Sequence, residues 1–168
     1  MPLRFLISAP VLAVAAIVPA PAQVRPAATL EPLRFFEGRT EGEGRVKVVF
    51  KPEYGVHVKG RGRIEPDDTL VLVQDVFEDG KPPRQRSWRI RKTAPGHYAG
   101  SLSDATGPVS LELAPDGRIH IRFRMKGSIA VEQWLTAAAD GRTVQNMMII
   151  RKFGLKVATL QETIRKLG

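Results

Sequence analysis

Ile119-His120-Ile121-Arg122-Phe123-Arg124-Met125-Lys126 alternates apolar and basic side chains without a break. A period of two places Ile119, Ile121, Phe123 and Met125 on one face of an extended strand and the charges on the other. Such a strand has one face in a core and one in water. The same alternation recurs in residues 45–50, with Val46, Val48 and Phe50 inward, in residues 56–64, and in residues 85–92 around Trp88 and Ile90. Residues 69–77 (TLVLVQDVF) are apolar on both faces as far as Gln74 and Asp75, which predicts that both faces are covered. Further strands fit residues 97–103, 108–113, 130–137, 143–152 and 155–162, while residues 159–167 read equally as a short amphipathic helix.

Between these runs stand Pro66-Asp67-Asp68, Glu78-Asp79-Gly80, Ala94-Pro95-Gly96, Pro115-Asp116-Gly117 and Asp140-Gly141. Asp-Gly pairs supply the positive φ angles of tight hairpins. About ten short strands at this spacing, joined by hairpins with no long crossover, predict an all-β domain. Its expected form is a single antiparallel up-and-down β-barrel of about eight to ten strands, which leaves no exposed sheet edge.

The N-terminus sets the expected compartment. Arg4 stands in a short leading region, residues 11–18 are apolar, and Ala20-Pro21-Ala22 offers the small residues of an A-x-A cleavage site. The apolar run is far shorter than the roughly 20 residues of a spanning helix. Residues 1–22 therefore read as a signal peptide cleaved before Gln23, residues 23–32 as an extended leader, and residues 33–168 as the barrel domain. Residues 33–36 fit a single-turn helix closed by Glu37-Gly38. No cysteine follows the apolar run to accept a lipid. The expected location is the periplasm or the exterior.

Removing 22 of 168 residues leaves 146, enough for one domain with a real core. The chain has no cysteine, so packing and sheet closure rather than disulfides must stabilise it. Twenty-six Lys and Arg against 17 Asp and Glu give a formal charge of +9, one less without Arg4. A charge of that size attracts anionic surfaces non-specifically.

Several motifs, taken in order, carry a family resemblance. Phe35-Phe36-Glu37-Gly38 with Gly42-Glu43-Gly44 opens the series. Asp75-Val76-Phe77-Glu78-Asp79-Gly80 with Arg86-Ser87-Trp88 follows, then Tyr98-Ala99-Gly100 with Asp104 and Gly107. Glu132-Gln133-Trp134, Asn146 and Lys152-Phe153-Gly154 complete it. The order resembles a family of uncharacterised bacterial envelope proteins, a domain of unknown function, with a lipocalin-like barrel. Most of its members are lipoproteins. This sequence departs from the pattern in lacking the lipid-attachment cysteine, in Glu132-Gln133 where the family has paired aspartates, and in Met147 where an arginine follows the asparagine. The resemblance implies a fold and an envelope location, not a ligand.

The search for catalytic arrangements returns nothing. His57, His97 and His120 have no metal-ligand spacing, no G-x-S-x-G elbow occurs, and the glycines at 38, 42 and 44 form neither a P-loop nor a dinucleotide fingerprint. Those glycines fit a strand that bends at a barrel corner. No catalytic residue, metal or cofactor is expected. Polar residues on buried strands do stand out: Asp75, Arg86, Glu132 and Asn146, with Trp88, Tyr98 and Trp134. Arg86 shares its face with Trp88 and Ile90, so an interior Trp88 brings a guanidinium inside. A buried guanidinium needs a carboxylate, with Asp75 or Glu132 available, or else an anionic ligand.

Outward basic residues form a second candidate: Arg45 and Lys47, then Lys59, Arg61 and Arg63, then His120, Arg122 and Arg124. Were those strands neighbours, Arg61, Arg63, Arg122 and Arg124 would meet an anionic membrane surface. The plainer reading is a solvated exterior. Nucleic acid is not an expected partner, because no aromatic side chains interleave with these charges.

Together these readings describe an exported, non-enzymatic barrel binding a small amphipathic ligand such as a fatty acid or lipid. Val46, Val48, Leu72, Trp88, Ile121, Phe123 and Trp134 would contact its tail and Arg86 its carboxylate. The alternative is an envelope interaction protein whose barrel is filled and whose basic face binds. A third reading is an enzyme using Asp75 and Glu132. A hollow interior of about several hundred Å³ separates the first from the second.

Overall fold

The computed structural model describes residues 30–168; the expected signal peptide, residues 1–22, lies outside them. A short helix α1 (Pro32–Phe36) precedes ten strands. They are β1 (Gly38–Val48), β2 (Tyr54–Ile64), β3 (Leu70–Glu78), β4 (Arg84–Ala94) and β5 (His97–Leu102). Then come β6 (Val109–Leu113), β7 (Ile119–Met125), β8 (Ile129–Ala137), β9 (Thr143–Lys152) and β10 (Leu155–Leu167). Every strand pairs antiparallel with its sequence neighbours, and β1 pairs with β10, so the barrel closes. The turns follow the predicted chemistry: Gly117 and Gly141, after Asp116 and Asp140, have φ of 82° and 65°.

Alternation assigns the faces. Val46, Val56, Val58, Leu70, Leu72, Trp88, Ile90, Leu111, Ile119, Ile121, Phe123, Val131, Leu135, Val144 and Ile164 form one buried interior. Each large apolar side chain taken out of water contributes about 1.5–3 kcal/mol.

Helix α1 plugs one barrel end. Pro32 sits at its first turn, where the fixed φ suits a helix start, and the Glu31 carboxylate accepts from the Arg34 amide at 3.0 Å. Leu33 and Phe35 are buried against the barrel. Gly62 makes the close approach possible, since a Cβ there would lie 1.9 Å from the Phe36 carbonyl oxygen. Two latches hold the plug. Tyr98 donates its hydroxyl to Glu31 Oε1 at 2.7 Å, and Lys166 Nζ donates to the carbonyls of Arg34 (2.6 Å), Phe35 (3.1 Å) and Glu37.

One reading left open is decided, and three expectations need correction. Residues 159–167 are strand, the C-terminal part of β10, because pairing with β1 and β9 satisfies both edges. The outer face of β3 is not covered by a second layer: Val71 and Val73 are half-buried among neighbouring side chains. Phe50 lies beyond the end of β1 in a turn and is fully exposed at 102%. Finally, β7 does not adjoin β1 and β2; three strands separate it from β1 on one side and four from β2 on the other, so the basic strands make no single patch.

Candidate functional site

Midway along the barrel the apolar interior is interrupted by Gln74 on β3, Arg86 and Trp88 on β4, Gln133 on β8, Asn146 on β9 and Glu162 on β10. Register sets them in pairs: Gln74 stands opposite Arg86, and Asn146 opposite Glu162. On β1, between these walls, the inner face is thinned by glycine. A Cβ at Gly42 would lie 2.1 Å from Glu162 Oε1, so the glycine read as a bend also makes room for this carboxylate.

Gln74 Oε1 accepts from Arg86 Nε and from Trp88 Nε1, both at 2.8 Å. The Arg86 guanidinium lies 5.6 Å from the Trp88 ring. Its two terminal nitrogens make no hydrogen bond with the described residues, and it forms no ion pair within 4.0 Å among them. Burial works against its cation; the field of Glu162 partly restores it. Glu162 Oε2 accepts from Asn146 Nδ2 at 2.9 Å. Burial pushes the Glu162 carboxyl up, against the opposing pull of Asn146 and Arg86. Asn146 Oδ1 is buried with no partner among the described residues.

These groups bound a cavity of about 50 Å³ that α1 closes with Pro32, Leu33 and Phe36. It has room for one or two waters, each taking about 30 Å³ of liquid volume. A cation with free donors, a carboxyl displaced toward its acid form and an orphaned amide oxygen thus surround a space of solvent size. The arrangement can donate to an anion through Arg86 and through a protonated Glu162.

Of the seven residues expected inside, Arg86, Trp88 and Asn146 meet at this cavity. Tyr98 faces inward but stands at the plugged end, where its bond to Glu31 and burial push its pKa up. Asp75, Glu132 and Trp134 point outward, and their assignment to the interior is corrected. Asp75 pairs with Arg61 at 2.9 Å and accepts from Gln85 at 2.9 Å. Glu132 binds Arg151 and lies 3.5 Å from His120 Nε2. Trp134 stacks on His120 at 3.9 Å with Arg118 over its ring. The residues missed were Gln74, Gln133 and Glu162. Their signal was alternation with Leu72 and Val76, with Val131 and Leu135, and with Leu160 and Ile164.

The basic exterior is largely neutralised by acids on neighbouring strands or loops. Arg61 pairs with Asp75, Arg63 with Glu65 at 2.9 Å, and Arg122 with Glu112 at 2.6 Å; of the four, Arg124 has no carboxylate partner among the described residues. Among the described residues no group of three His, Cys, Asp or Glu is placed to hold a metal.

A closed ten-stranded barrel with a helical plug and a polar centre defines a lipocalin-like barrel protein. The chain belongs to the DUF3833 family of proteins of unknown function, whose model matches residues 18–166. Two solved structures share the fold. One is the S-type phycobiliprotein lyase CPES from Guillardia theta, with a TM-score of 0.65 and 10% identity, over 81% of this chain and 90% of that one. The other is a protein of unknown function from the DUF3598 family of Nostoc punctiforme, with a TM-score of 0.60 and 14% identity over 85% of this chain. The match spans 51% of that chain's length. None of the curated proteins matches the chain.

Proposed function

We propose that the barrel binds a small amphipathic ligand with an anionic head, such as a fatty acid, at the Arg86 centre. The observation that carries this is the interior guanidinium: among the described residues it has free donors, and its only hydrogen bond there is to a neutral amide. An unpaired buried charge is costly, so such a group marks a place where a partner is expected. Leu72, Trp88 and Ile121 supply apolar walls beside it. The cavity fits a head group or waters; a tail requires α1 to withdraw, which breaks the Tyr98 and Lys166 latches but none of the strand pairing. We read this chain as a binding protein, because its polar centre holds amides, one arginine and one glutamate but no nucleophile–base pair.

The test uses dodecanoic acid and dodecanol as probes. Arg86→Ala should weaken carboxylate binding about ten- to a hundredfold more than alcohol binding, as expected for a charged hydrogen bond of about 1.5–3 kcal/mol. Equal loss for both probes points to structural damage, and no binding by the unaltered protein refutes the reading. The 50 Å³ volume favours a second reading, a filled barrel in which water bridges Arg86 and Glu162 as a structural pair. Native mass spectrometry of the protein from its own cells separates the two: a retained small molecule supports the first.

A further inference from the structure

The barrel end away from α1 carries a surface unrelated to the interior. Three consecutive hairpin tips face the same way there: β1–β2, β9–β10 and β7–β8. Two of them expose large apolar side chains, Val49 at 43%, Phe50 at 102%, Phe153 at 76% and Leu155 at 73%. These are the four most exposed large hydrophobic residues in the described chain. Around them stand Lys51, Lys126, Lys152 and Lys156, none with a carboxylate partner among the described residues. Of the acids on the same side, Glu53 pairs with Arg45, Glu78 with Lys81 and Arg84, and Asp104 with Arg84, while Asp79 accepts from the Gly55 amide.

The backbone adds an independent observation. Phe153 and Gly154 have φ of 50° and 83°, the two-residue geometry of a type I′ hairpin that favours Asn, Asp or Gly at its first position. Phe50 also has a positive φ, 61°. An aromatic ring in this conformation is disfavoured, and both rings are largely exposed, with the Lys152 ammonium 5.7 Å from the centre of the Phe153 ring. The neighbouring β7–β8 turn has the same kind of geometry with ordinary turn residues, Gly127 and Ser128. Folding alone therefore does not call for phenylalanine at either tip.

We propose that this end of the barrel docks on an anionic lipid surface. Phe50, Phe153 and Leu155 enter the interface and the four lysines meet the head groups, an arrangement of aromatic residues and cations suited to the boundary between water and hydrocarbon. Charge selects this occupant over a second copy of the chain, which would bring the same lysines against themselves.

The experiment is co-sedimentation of the full-length chain with vesicles of phosphatidylcholine alone or mixed with phosphatidylglycerol, at low and high salt. Binding should require the anionic lipid and fall with salt. Lys152→Glu with Lys156→Glu should lower partitioning by about 25-fold or more, since each basic residue near such a surface is worth about fivefold. Phe153→Asn suits the turn better and should lower binding several-fold while the protein stays folded. Any adhesion of residues 1–29 is common to all variants, so the differences report the tips. Phe153→Trp adds a direct reading: quenching by brominated lipid beyond that of the unaltered protein supports insertion. Equal vesicle binding by all variants, or no added quenching, overturns the proposal. So does a solution dimer that Phe153→Asn dissociates, which would make the surface a self-contact.

Discussion

The two ends of the barrel are built from the same kind of hairpin, but two tips at the end away from α1 depart from the rule that the other turns follow. At the plugged end the connections carry Asp67-Asp68, Pro95-Gly96, Asp116-Gly117 and Asp140-Gly141, and each serves its turn. Asp140 alone accepts from the amides of Arg142 and Thr143 and from the Thr143 hydroxyl. Apolar residues at this end, Leu30, Leu33 and Phe35, are buried. At the opposite end Phe50 and Phe153 adopt positive φ in water, beside lysines that have no carboxylate partner among the described residues. Where a turn satisfies its own backbone, the sequence needs no explanation beyond folding. Where it spends conformational energy on an exposed ring, the reason must lie outside the molecule.

The same residue type separates the ends most sharply. Phe35→Ala should cost about 3–5 kcal/mol, the usual loss for a buried aromatic. Phe50→Ala should stay within about 0.5 kcal/mol, as for a surface site. Urea unfolding midpoints give both values, and equal losses would show that the plug is not part of the cooperative core. Next in size, Tyr98→Phe removes a hydrogen bond to a carboxylate and should cost about 1.5–3 kcal/mol. Amide exchange in residues 33–36 should speed up while β7 stays protected; unchanged exchange would show that this latch does not hold α1.

Between the ends, Glu162 supplies a pH test of the interior. Its folded carboxyl is raised above the ordinary value of 4.5, because burial favours the acid form. The stabilisation it gives is therefore fully present below its unfolded pKa and is lost as pH rises through the folded one. Glu162→Gln should abolish that loss, so melting temperature at neutral pH should rise in the variant and its pH dependence above the unfolded value should flatten. A lower melting temperature at neutral pH would mean that the ionised carboxylate is needed opposite Arg86. The smallest effects lie in the turns. Gly117→Ala, at φ 82°, should cost about 1–2 kcal/mol, whereas Phe153→Asn should cost nothing and gain up to about 1 kcal/mol. Thermal melts check this pair, and a destabilised Phe153→Asn would show that the ring packs after all.

Much of the architecture was legible in the residues. Alternation in β7 and β4, and Asp-Gly turns at regular spacing, led to an all-β barrel of about ten strands, and Arg86 was placed inside by its partnership with Trp88. Sidedness failed where alternation is weak. In β3 both Leu70-Leu72-Gln74 and Val71-Val73-Asp75 offer two apolar residues and one polar, and a shift of one residue exchanges every side chain between core and solvent. In β8 the size of Trp134 outweighed Val131 and Leu135, which carry the neutral Gln133 inward instead.

What the sequence by itself determined is local: the strand period, the turn types and the excess of positive charge. Closure decided the rest. Pairing β1 with β10 turned an ambiguous C-terminal segment into a strand and buried Glu162 near Arg86, 76 residues away in the chain. Register between sequence-adjacent strands set acids beside Arg61 and Arg122, so that charges in one strand were answered by the next. Alternation shows how side chains divide between two faces, but only the order of strands around the barrel shows which residues face one another across it.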